Sequence, residues 1–136
     1  MLSPTLVTLR LFLHVLAASI WVGGQIALAG VVPSLRRAAP EATKAAARAF
    51  ARVAWPAFAV VVLTGLWNLT EVDVTDIGTT YQVTLFVKLV LVFASGAAAA
   101  VHSVGRSKLA LALGGAIGLL AGLGAMFCGY LLTTGS

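Results

Sequence analysis

LFLHVLAASIWVGGQIALAGVVP, from Leu11 to Pro33, is long and apolar enough to cross a bilayer as a helix, which takes about 20 residues. With Arg10 just before it, the stretch also carries His14, Trp21 and Gln25. At about 100° per residue these four side chains fall in one narrow sector, so a polar stripe runs down an apolar helix. Ionisable side chains inside a span cost roughly 2.5 to 3.5 kcal/mol each on insertion scales, and they face a bundle interior or a cavity rather than lipid. The stripe reads as the wall of a site.

Working outward, the composition places the whole chain in lipid. Of 136 residues, 60% are hydrophobic and 10% charged, with mean hydropathy +1.04, far from the balance of soluble domains. The expected fold is an all-α membrane protein, a single antiparallel four-helix bundle in one domain over residues 1–136. The net charge of +5 does not indicate nucleic acid, because no basic helix with interleaved aromatics carries it. The basic residues instead flank the apolar spans. Cys128 has no second cysteine to pair with, so no internal disulfide forms. The first segment lacks a basic leader and is too long for a signal core, which makes it a retained span.

Four helices are expected, over about residues 4–32, 41–69, 80–103 and 109–132. Ser3 and Pro4 offer a start for the first and Pro33 a stop. Arg36, Arg37, Lys44, Arg48 and Arg52 follow, against Glu41 alone. By the positive-inside rule this block is cytoplasmic, leaving both termini external in a multi-pass protein of the plasma (inner) membrane. Pro56 is expected to kink the second helix. Glu71, Asp73 and Asp76 mark an external loop, and Arg106 and Lys108 mark the second cytoplasmic one. In the third helix Tyr81, Lys88, Ser95 and His102 recur every seven residues, a second one-sided stripe. In the fourth, Gly114, Gly118 and Gly122 recur every four, a line for close helix packing and a candidate face for a homodimer.

Counting about 1.5 Å per residue from the external ends puts His14 ~13 Å deep and Lys88 ~11 Å deep. By the same count Met126 comes at ~9 Å, Cys128 at ~6 Å and His102 at ~31 Å, at the cytoplasmic end. His14 and His102 therefore do not ligate one iron, and His102 is an interfacial residue or part of a second site. The outer-half inventory suits two chemistries. A haem would take His14 as axial nitrogen and Arg10 beside a propionate; copper(I) would prefer His14, Met126 and Cys128. A cofactor-free scaffold subunit is the third reading.

Three segments carry a resemblance: LHVLAASIWVGG at Leu13 to Gly24, RAFARVAWPAFAVVVLTGLW at Arg48 to Trp67, and YQVTLFVKLVLV at Tyr81 to Val92. They resemble the membrane domain of the copper resistance protein D family and its relatives, the HemJ-type protoporphyrinogen oxidases. The matching elements are His14, Trp21 and Gly23 in the first helix, Pro56 and Thr64 to Leu66 in the second, and Lys88 with Leu89 in the third. The resemblance implies a haem b protein with an electron-transfer role, a haem-dependent membrane oxidoreductase with a membrane or periplasmic redox partner. It further implies that His14 is a haem ligand and Lys88 functional, as second ligand or as partner to a carboxylate. The chain departs from the HemJ pattern in the spacing from Lys88 to the next histidine, His102. It also lacks the additional helices of the larger copper resistance proteins, so transport would call for a homodimer.

Overall fold

The computed structural model describes residues 1–135. It is all-α, with four long helices among the described residues: α1 (Leu6–Ala38), α2 (Pro40–Thr70), α3 (Thr79–Val104) and α4 (Lys108–Thr134). Each is long and apolar enough to span a membrane. They pack as two antiparallel pairs, α1 with α2 and α3 with α4, in two compact units, Met1–Asp73 and the part from Val74 onward.

The start of α1 differs from the sequence expectation. Thr5 is the N-cap; its hydroxyl accepts from the Thr8 backbone N–H, and the Thr8 side chain reciprocates to the Thr5 backbone. A box that satisfies two orphan donors holds the end better than Ser3 and Pro4 could. Pro33 does not stop the helix, which continues to Ala38. Pro33 and Ala29, whose carbonyl loses its usual donor, are both exposed, so the lost bond falls where solvent or headgroups can replace it. At about 1.5 Å per residue the 33 residues of α1 span ~50 Å, well beyond the ~30 Å hydrocarbon core. The surplus carries Arg36 and Arg37, and the start of α2 carries Lys44 and Arg48, all exposed. Ala39 alone separates α1 from α2, and Pro40 occupies the first turn of α2, where its missing N–H costs nothing.

Small residues make both seams. Along α2 the buried positions Ala54, Ala57, Val61 and Thr64 follow a three-four spacing against Ala17, Trp21 and Val22 of α1. Along α4 they are Gly114, Gly118, Ala121, Gly122, Ala125 and Cys128. The glycine line is therefore occupied by α3 within its own unit, which removes it as a face for a second copy. Its closest point is Gly114, where a Cβ would stand 2.9 Å from the Ala98 carbonyl oxygen and 3.0 Å from the His102 backbone nitrogen. One layer on, Ser95 is 1% exposed and its hydroxyl donates to the Gly118 carbonyl at 2.7 Å. Close backbones of this kind hold helices together where lipid supplies no hydrophobic drive. Large apolar side chains such as Phe12, Leu63, Phe86, Phe93, Leu120 and Phe127 point outward.

Because backbone atoms cannot swing aside, Gly114→Ala is expected to lower the stability of the α3–α4 pair by about 1–3 kcal/mol. Gly30→Ala in α1, where nothing lies within 4 Å, should leave the stability of the protein unchanged or slightly higher, since alanine favours the helix. Thermal unfolding of the two variants in detergent, followed by circular dichroism, checks the contrast.

Candidate functional site

In the first unit the polar stripe of α1 is the face that packs on α2. Arg10 is 9% exposed. One terminal guanidinium nitrogen lies 3.5 Å from a carboxylate oxygen of Glu71, the C-cap of α2, and the guanidinium sits 5.8 Å from the centroid of the Trp67 ring, within cation–π range. The acidic loop thus reaches back to cover a buried cation of α1. Arg10 Nε is buried without a hydrogen-bond partner among the described residues, and so is Asn68 Oδ1.

One turn deeper, His14 Nδ1 lies 2.8 Å from Thr64 Oγ1. The Thr64 hydroxyl has a single proton, and the Val60 carbonyl oxygen lies 2.6 Å from it, with the Val61 carbonyl at 3.3 Å. Carbonyls only accept, so the threonine donates down its own helix and accepts from the imidazole. This network assigns the proton of neutral His14 to Nδ1 and the lone pair to Nε2. Gly65 lies against the same ring, a Cβ there standing 3.4 Å from His14 Cε1.

Below His14 the stripe becomes packing. Trp21, Trp55 and Phe58 form an aromatic cluster with centroid separations of 4.5 to 5.9 Å. Gln25 donates to the Trp21 carbonyl at 3.1 Å. Of the two glycines after Trp21, Gly23 is exposed with nothing within 4 Å, whereas a Cβ on Gly24 would fall on the Phe50 ring. Packing uses the second glycine, Gly24. This unit also has an apolar groove of about 240 Å³ lined by Leu13, Leu16, Ala17, Ile20, Val53, Pro56, Ala57 and Val60; His14 does not line it.

In the second unit Lys88 is half-buried and its ammonium lies over Gly129, where a Cβ would be 3.2 Å from Nζ. Cys128 is buried and Met126 exposed; two residues apart on a helix, they point about 200° away from each other, so they do not offer sulfur to one ion. His102 Nδ1 donates to the Leu111 carbonyl at 2.6 Å, and its ring lies against Gly115. It clasps the end of α3 to the start of α4. No group of three or more His, Cys, Asp or Glu side chains converges among the described residues. Compared with family models, curated proteins and solved structures, the chain matches none.

The sequence stripe brought Arg10 and His14 to notice; it did not bring Glu71 or Thr64. The available signal for Thr64 was a hydroxyl within the apolar run VVVLTGL. The glycine contrast is directly testable. Gly24→Ala should shift the tryptophan fluorescence of the protein, because Phe50 must move near the aromatic cluster, whereas Gly23→Ala should leave the emission spectrum superimposable on wild type.

Proposed function

We propose that this is a haem b-binding multi-pass protein of the plasma membrane, both termini external, that passes electrons between a membrane-soluble reductant and an acceptor. The observation that carries the proposal is the Thr64 hydroxyl holding His14 Nδ1 at 2.8 Å, which leaves the lone pair on Nε2. Metal-ligating histidines characteristically donate their other N–H to a fixed acceptor that sets the tautomer and ring orientation. An intramembrane histidine prepared in this way has the form of an axial ligand. The resemblance to the copper resistance protein D and HemJ-type families agrees with it at His14.

A second feature fits the group. Arg10, one turn towards the helix start, keeps Nε buried and unpartnered, a donor suited to a propionate carboxylate in a dry setting. Glu71, 52% exposed at its side chain, balances the guanidinium from the water side. When bound, haem would supply a one-electron iron couple. The protein's part is to hold the imidazole still through Thr64 and Val60, to meet a carboxylate at Arg10, and to keep water out with the Trp21, Trp55 and Phe58 cluster. The orientation follows the basic residues: Arg36, Arg37, Lys44 and Arg48 stand at the tip of one helical pair and Arg106 and Lys108 at the tip of the other, which the positive-inside rule assigns to the cytoplasm.

The test is an absorption spectrum of detergent-purified protein produced with ample haem, air-oxidised and then dithionite-reduced. Wild type should show a Soret band and sharp reduced α and β bands, and His14→Ala should lose them. Thr64→Val should retain the bands with haem affinity lowered about 10–100-fold, the usual cost of removing an outer hydrogen bond from a ligand histidine. Lys88→Ala measured in parallel reads whether that residue has any part in holding the group. No haem band in wild type would retire the redox reading.

A further inference from the structure

The second unit contains a cation with no carboxylate to neutralise it; the titratable group beside it is the Cys128 thiol of α4. Lys88 makes no hydrogen bond or ion pair among the described residues. The four acidic residues of the chain are Glu41, Glu71, Asp73 and Asp76, at the start of α2 or between α2 and α3, so none lies within α3 or α4. A lone ammonium in a span is costly, and such residues pair, or reach for an interface.

Lys88 reaches towards the start of α3. Helical side chains lean towards the helix N-terminus, and Nζ lies by Gly129, about 7 Å from the end of α4, whereas the Lys88 backbone is about 13 Å below the start of α3. The ammonium has therefore risen roughly 6 Å, to about the level of Thr84. At that level begins a groove of about 430 Å³, lined by Gly78, Thr80, Tyr81, Thr84, Leu131, Leu132 and Gly135. Tyr81 and Lys88 share one face of α3 at seven-residue spacing, and the Tyr81 hydroxyl makes no hydrogen bond among the described residues. Thr84 donates to the Thr80 carbonyl and keeps acceptor capacity. Two donors without acceptors stand on one face with an apolar wall, Leu131 and Leu132, opposite. The 26 residues of α3 span ~39 Å, so a centred helix projects ~4 Å beyond each side of a ~30 Å core, and the ammonium lies only a few ångström inside the hydrocarbon edge.

We propose that the groove between the start of α3 and the end of α4 binds the phosphate headgroup of an anionic phospholipid, with Lys88 as the counter-charge and Tyr81 as a second donor. The depth favours a membrane-borne anion over one from water, and the leucines provide the surface for the top of an acyl chain. The site is independent of whether His14 carries a cofactor.

The experiment is native mass spectrometry of the protein released from micelles supplemented with phosphatidylglycerol or phosphatidylcholine at equal concentration, with inorganic phosphate as a separate titrant. Wild type should retain one phosphatidylglycerol in preference to phosphatidylcholine. Lys88→Met should reduce that preference about fivefold, the weight of one cation near a charged surface, and Lys88→Arg should keep it. Leu131→Trp, which fills the groove without touching the charge, should reduce retention as well and carries the test if Lys88→Met does not fold by circular dichroism. Equal retention in wild type and Lys88→Met, or unaltered retention in Leu131→Trp, would overturn the proposal. So would saturable binding of inorganic phosphate that competes with the lipid, since the occupant would then come from water. The spectra of the same samples report on haem separately.

Discussion

Hydrocarbon gives no hydrophobic reward for bringing two apolar helices together, so each pair depends on how closely its backbones approach. Everything at the two seams answers to that constraint. Gly114 leaves no room for a methyl group beside the Ala98 carbonyl, and Ser95 can reach the Gly118 carbonyl only because the helices are near enough at glycine. Ala54 and Ala57 are the buried small residues of α2 in the α1–α2 pair. Close approach has a further effect, which is to bring polar side chains of one helix within reach of the other's main chain. His102 on the Leu111 carbonyl is such a case. The polar stripes of α1 and α3 are thus seam residues first, and any chemistry they perform is added to that duty.

The His14–Thr64–Val60 chain shows how the two duties coexist. A threonine inside a helix ordinarily returns its hydroxyl to the carbonyl four residues back, as Thr64 does. That local bond uses the hydroxyl proton and converts the oxygen into a pure acceptor aimed at the neighbouring helix. An imidazole placed there has one protonation pattern open to it while neutral. The cross-helix bond strengthens the seam and also selects which nitrogen carries electron density.

Much of this was legible in the sequence. Four spans, both stripes and the glycine line follow from period and composition, because a helix of 3.6 residues per turn projects its sequence onto faces in a fixed way. Where the reading failed, a local signal met a non-local one. Pro33 is a helix stop by propensity, yet its position on an exposed face near the end of the apolar run makes the lost hydrogen bond cheap. Gly23 and Gly24 are indistinguishable in sequence, and only the position of Phe50, on another helix, separates them. Glu71 read as one acid among three in a loop; its pairing with Arg10 depends on the relative lengths of two helices, which no single window contains. Thr64 stands out in the sequence at the head of Thr64 to Leu66, but its bond to His14 depends on the same two lengths.

Those lengths are set by the turn. His14 and Thr64 are fifty residues apart, twenty-five on either side of Ala39, and a connection of one residue has no slack. Each arm of the hairpin is therefore measured against the other as on a folded ruler. A single residue added to or deleted from one arm would turn its far end by about 100° and carry His14 away from its acceptor, whereas matched changes in both arms would only shorten the stalk. The α3–α4 pair obeys the same count, with Ser95 opposite Gly118 and His102 opposite Leu111 placed evenly about the Gly105–Ser107 link. In this chain residue number itself acts as a structural specification.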